Sequence, residues 1–190
     1  MAKWYIDPSH SSVTFGVKHM MVATVRGKLG KLQGELDFDP KAPAQARIRA
    51  TIDVSTIDTN DPKRDGHLKS PDFFDVAQYP QITFRSTQIE PKGAQGSGQY
   101  AVRGDLSIRG TTKPVSFDAV IEGIAADTDG GQHLGAAGTL VIDRTQWGLV
   151  WNQPLANGVL VGDKVTIELG LAALDAATAR KYGLVPAAAA

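Results

Sequence analysis

Cysteine is absent from the 190 residues. That excludes disulfides, thiolate catalysis and cysteine-ligated zinc, and it leaves the redox compartment open. Net charge is absent as well, since 20 Lys plus Arg balance 20 Asp plus Glu. A balanced chain has no overall attraction for nucleic acid or an anionic membrane, and only a local patch would supply one. No apolar run reaches the length of a membrane-spanning helix. The opening MAKWYIDPSHSS has no apolar stretch after its lysine, so it does not read as a signal peptide and the expected location of the chain as given is cytoplasmic. Catalytic signatures are missing too. There is no G-x-S-x-G elbow and no H-E-x-x-H, and the glycine-rich GKLGKLQG is not followed by a helix that would cradle phosphate. The expectation is a protein that is not an enzyme, with no metal and no covalent cofactor.

What the chain does have is alternation. Val13, Phe15, Val17 and His19 fall on one face of SVTFGVKH, and Leu32, Gly34, Leu36 and Phe38 on one face of the next run. Gly30 and Lys31 shift the parity between Leu29 and that run, which predicts a bulge. Ile48, Ala50, Ile52 and Val54 follow, then Ile82 and Phe84, then Tyr100, Val102, Gly104, Leu106 and Ile108. Val115, Phe117, Ala119, Ile121 and Gly123 make the sixth set, Leu140 and Ile142 the seventh, and Val165, Ile167, Leu169 and Leu171 the last. Turn signals such as GAQGSG, GTTKP, DTDGG and NQPLANG separate them. Eight strands with one apolar face and no long helix to cover it pack as two sheets or close into a barrel. The small inward positions Gly34, Ala50, Gly104, Ala119 and Gly123 either leave room for a ligand or offset bulky neighbours across the core.

One stretch breaks the alternation. In NDPKRDGHLKSPDFFDVAQYP, Asp61 before Pro62 is a helix start, which predicts a helix over Pro62 to Lys69. Ser70 before Pro71 repeats the signal and predicts a second helical turn. Leu68, Phe73, Phe74 and Val76 are too apolar to face water together, so the insert is expected at an open end of the barrel, with Lys63, Arg64, Asp65 and His67 around the opening. A greasy interior with a charged rim suits a ligand with an apolar tail and a polar head.

These residues carry a resemblance. WYIDPSHSSVTFGVKHM, STIDTNDPKRDGHLKSPDFFDVAQYPQITFRS, YAVRGDLSIRGTTKPVSFD and GDKVTIEL are similar to the YceI-like family of bacterial polyisoprenoid-binding proteins, from Trp4 to about Leu171. The resemblance implies an all-β fold, an extended eight-stranded antiparallel lipocalin-like barrel holding a long isoprenoid, such as a quinone, its precursor or a polyprenyl phosphate. It also implies a homodimer. Many relatives are periplasmic. The barrel is expected over residues 1–174, followed at 175–190 by a short helix ending at Gly183, outside the barrel, and a frayed alanine tail.

The residues expected along the tail are Phe15, Val17, Leu36, Phe38, Ile48, Ala50, Ile52, Ile82, Phe84, Val102, Leu106, Phe117, Ala119, Ile121, Trp147 and Ile167. Lys63, Arg64 and His67 are expected at the head group, where a guanidinium fork suits phosphate or carboxylate. The alternative for Arg64 and Asp65 is a surface ion pair. His19 shares the face of Phe15 and Val17 and reads as a buried, hydrogen-bonded imidazole; His10 and His67 read as bonded to backbone or carboxylates. A second class of function remains: a solid barrel that binds another protein through the insert or through the segment from Trp147 to Trp151.

Overall fold

A sheet with one apolar face hides both that face and its edges by closing on itself, and this one closes. The computed structural model describes residues 1–39, 41–94, 96–156 and 158–185, so the expected frayed AAAA tail lies outside the described residues. Ten strands form the main sheet: β1 (Ala2–Ile6), β2 (Ser12–His19), β3 (Ala23–Lys28), β4 (Lys31–Phe38), β5 (Arg47–Asp53), β6 (Gln81–Lys92), β7 (Gln99–Ile108), β8 (Thr111–Ala126), β9 (Gln132–Asp143) and β12 (Val161–Asp175). β10 (Pro154–Leu155) and β11 (Gly158–Val159) make a small separate hairpin. The order β1-β4-β5-β6-β7-β8-β9-β12 returns to β1 through the β1–β12 pairing, a closed antiparallel barrel of eight staves.

Two of those staves are broken strands. β12 pairs with β2 through Val161–Gly170 and with β1 through Ala173–Asp175, so β1 and β2 lie end to end along it. Pro8 ends β1, and Ser11 bridges the gap: its Oγ donates to the Ala172 carbonyl at 3.1 Å and accepts from the Ala172 N–H at 3.0 Å. β3 pairs with β2, and β4 pairs with β1. The parity shift at Gly30 and Lys31 is therefore a break between β3 and β4 rather than a bulge. A Cβ on Gly30 would sit 2.3 Å from the Asp53 carbonyl oxygen, so the chain crosses there with no room for a side chain. A true bulge occurs in β8 between Ile121 and Gly123, which leaves Gly123 exposed and not inward as the alternation predicts.

The expected helix forms as α1 (Pro62–Lys69), with the Asp61 carboxylate accepting from Lys63 N and Arg64 N. The second helical turn does not form. Ser70 caps α1, and Phe74 N donates back to Leu68 O, so residues 70–79 fold as a series of turns. α2 (Ala176–Lys181) follows β12 and ends before Gly183 in the left-handed region. It lies outside the barrel and packs against β1 and β12 at the end opposite α1, with Thr178 and Ala179 buried.

The interior holds two apolar clusters. The upper one, at the α1 end, includes Phe15, Ile82, Ile108, Ile142, Trp147 and Ile167; the lower one includes Trp4, Leu36, Phe38, Val102 and Leu134. Phe84, Phe117 and Leu171 pack against both. The Phe84 and Phe117 rings meet at 5.7 Å and 60°, forming a partition across the bore.

Candidate functional site

The upper end gathers the two segments that do not alternate. β5 hands the chain to the insert, residues 54–80, and β9 hands it to residues 144–160. Arg109, in the turn between β7 and β8, ties them together by donating to Pro71 O at 2.7 Å and Gly148 O at 3.0 Å. The His67 ring meets Phe73 edge-on at 5.1 Å and Trp151 at 4.6 Å, while its Nε2 lies 2.9 Å from Asp72. Trp147 is buried and donates Nε1–H to Leu106 O at 3.1 Å.

Arg144 holds the far side of this end together. Nε donates to Gly162 O at 2.9 Å, and the terminal nitrogens reach the carbonyls of Leu149, Trp151 and Val161 and the Asp163 carboxylate at 3.3 Å. Burial pulls its pKa below the ordinary guanidinium value, opposed by Asp163 and Asp143. A side chain so fully engaged is a structural fastener. Arg64 is held on the opposite side: Nε and a terminal nitrogen donate to the Thr59 hydroxyl and carbonyl, both at 2.8 Å. Asp65 accepts from the same Thr59, so Arg64 and Asp65 meet on Thr59 rather than pairing at the surface.

Between these segments and the strands is a cavity of about 260 Å³. Its walls are overwhelmingly apolar, and among the described residues its ionisable lining is Lys18, His19, Arg64, His67 and Arg144, with no Asp or Glu. Of the expected tail residues, Phe15, Val17, Ile82, Trp147 and Ile167 line it. Ala50, Ile52, Phe84, Leu106 and Phe117 belong to the surrounding upper cluster without reaching the cavity, and Leu36, Phe38, Ile48, Val102, Ala119 and Ile121 lie in or against the lower one. Phe84 and Phe117 lie between this cavity and the lower half, packing against both clusters without lining the cavity. Gly104 is small because a Cβ there would come within 2.5 Å of the Phe84 ring.

Of the expected head-group residues, Arg64 and His67 line the cavity, while Lys63 is exposed on α1 and does not. His19 differs from its expected role. It is half-buried on the cavity wall, and among the described residues its ring has no hydrogen-bond partner. Its place on the Phe15–Val17 face was a visible signal; what alternation leaves open is whether that face meets packed side chains or space. His10 and His133 bind Asp7 at 2.6 Å and Asp127 at 3.2 Å, away from His67. Val165, on the inward face by alternation, lines the cavity as well, and so do Val25, Leu29, Leu160 and Val161, which lie in or next to stretches with too little alternation to mark them.

A family described as the YceI-like domain matches residues 4–173. A UPF0312 protein of Vibrio cholerae is 36% identical over 150 residues, 78% of this chain and 78% of the relative. Among solved structures, Burkholderia cenocepacia BcnA superposes with a TM-score of 0.76 at 29% identity, covering 88% of this chain and 98% of BcnA. A polyisoprenoid-binding domain from Saccharophagus degradans, implicated in plant cell wall breakdown, superposes with a TM-score of 0.69 at 13% identity, covering 92% of this chain and 99% of that domain, and so shares the fold.

Proposed function

This chain belongs to the YceI-like domain family, and from that premise we propose that it binds a long-chain amphiphile without transforming it. The apolar tail enters the upper cavity and the polar head stays at the mouth beside Arg64, His67 and His19. One observation carries the reading: an apolar cavity whose ionisable lining residues are all basic. Such a site favours an anionic or hydrogen-bond-accepting head on a hydrocarbon tail. The Saccharophagus degradans domain of the same fold is a polyisoprenoid-binding one, which supports a polyisoprenoid as the tail: a quinone, its precursor or a polyprenyl phosphate. The homodimer implied by the family resemblance belongs to the same proposal, and analytical ultracentrifugation tests it.

At about 260 Å³ the cavity lies near the lower limit of small-molecule sites, so it takes the first part of a long tail and the rest requires the partition to yield. The test is native mass spectrometry and organic extraction of protein purified from cells. A stoichiometric isoprenoid lipid is the expected result. Arg64→Ala with His67→Ala should weaken its retention by about tenfold or more, the loss of a hydrogen bond to a charged guanidinium being worth about 1.5–3 kcal/mol. Wild-type protein that carries no lipid and takes none up from solution would leave the reading without support.

A further inference from the structure

Beside the cavity mouth, the turn joining β2 to β3 breaks two local rules at once. His19 O accepts from Val22 N at 3.2 Å, closing a tight turn over Met20 and Met21. Both methionines have positive φ, 51° and 62°. A turn whose two central residues both have positive φ favours Asn or Asp followed by Gly, because a Cβ in the left-handed region crowds the backbone carbonyl. The same residues are exposed, Met20 by 48%, Met21 by 55% and Val22 by 84%. The tip is therefore apolar where both conformation and water favour a polar pair, and such doubled conflicts mark functional positions.

The surroundings say what meets it. Residues 8–34 contain no Asp or Glu, and neither do residues 144–162. These two segments adjoin: Met20 N donates to Leu160 O at 2.8 Å, and a Cβ on Gly158 would lie 3.6 Å from Met21 Cγ. Lys18, which also touches the cavity at its rim, shares the outer face of the hairpin with Arg26 and Lys28, all exposed and none in an ion pair among the described residues. Of the nearby acids, Asp163 pairs with Arg144 and Glu168 lies 3.5 Å from the Thr14 hydroxyl, while Asp58 lies beside Lys28 below the tip.

We propose that the Met20–Met21–Val22 tip, with Lys18 and Arg26 behind it, inserts into the surface of an anionic lipid bilayer. The tail then passes between bilayer and cavity without crossing water. This rests on the amphiphile reading of the cavity. Charge decides the occupant. A symmetric contact between two copies of the tip would bring Lys18 and Arg26 up against their own like charges, whereas an anionic bilayer supplies the complement. The projecting apolar tip buries its methionines among the outer parts of the acyl chains.

The experiment is flotation of the full chain with vesicles free of isoprenoid, either pure phosphatidylcholine or phosphatidylcholine mixed with phosphatidylglycerol. Wild-type protein should bind the mixed vesicles, and salt should weaken the binding. Met20→Asn with Met21→Gly installs the preferred turn, so the fold should keep or raise its melting temperature while vesicle binding falls by about tenfold or more. Lys18→Glu with Arg26→Glu should remove the preference for phosphatidylglycerol. Wild-type protein that ignores both vesicles, or a tip variant that binds as well as wild type, overturns the proposal. So does an oligomer, seen by sedimentation without vesicle binding, that the tip variant breaks. Farnesol uptake from vesicle-free solution is measured in parallel. The tip variant should retain it, so loss of docking with uptake intact refutes the docking alone, and absence of uptake in wild type refutes the amphiphile reading.

Discussion

Gly104 and Gly123 look alike in the sequence, two glycines at positions the alternation assigns inward, yet they answer to different constraints. A Cβ at Gly104 would sit 2.5 Å from both the Arg85 carbonyl oxygen and the Phe84 ring, whereas a Cβ at Gly123 meets nothing within 4 Å. Gly104→Ala should therefore cost about 1–3 kcal/mol by overpacking, lowering the melting temperature by several degrees in a thermal scan. Gly123→Ala should leave it nearly unchanged. The distinction was not legible in the sequence. The object that occupies the space beside Gly104 comes from the neighbouring strand β6, and the β8 bulge that turns Gly123 outward depends on pairing with β9. His19 has the same history. Alternation put it on the inner face; only the assembled upper end decides that this face meets a cavity.

At the scale of the element, local chemistry was the legible part. The eight alternating runs became strands, and Asp61-Pro62 opened α1 where expected. β1 and β3 carry little apolar pattern, because they are five and six residues long and no residue of β3 is buried. The joints between elements depend on aspartates. Asp7 closes the β1–β2 break, Asp143 caps the turn after β9, and Asp175 caps α2. All three carboxyl pKa values lie below the ordinary value. At Asp143 the Thr145 hydroxyl is the main cause. At Asp7 and Asp175 burial is the largest influence and pushes upward, but hydrogen bonds from His10 and Ser9, and from Thr178 and Gln132, together outweigh it. A depressed carboxyl pKa stabilises the fold above the unfolded value of about 3.9, and that contribution fades as pH falls through it toward the lower folded value. Unfolding midpoints measured from neutral pH downward should thus drop below about pH 4. Asp143→Asn, which keeps a capping oxygen but cannot titrate, should flatten that drop and leave neutral-pH stability almost intact; an unchanged acid limb would remove Asp143 from the account.

Across the whole molecule the barrel does two jobs that compete for its interior. The lower half is packed with Trp4, Leu36, Phe38 and Leu134 and closed by α2, whereas the upper half gives up packing to keep a cavity. Phe84 and Phe117 stand where the two meet. Each packs against both clusters and each faces a residue with no side chain, Gly104 beside Phe84 and Gly138, where a Cβ would lie 3.4 Å from the Phe117 ring. If the barrel binds tails longer than the upper cavity holds, this partition is the step that limits length. Phe84→Ala should then remove a ring from the bore and cost about 3–5 kcal/mol of stability in the absence of ligand. Affinity for a short isoprenoid such as farnesol, which needs only the upper cavity, should change little. Affinity for a long polyprenol should rise relative to farnesol, because its tail no longer displaces the ring. The long ligand should also restore more of the lost melting temperature than the short one, since binding to the folded state alone stabilises it. Equal changes for both lengths would mean that the tail stays above the partition and that the lower half serves the fold alone.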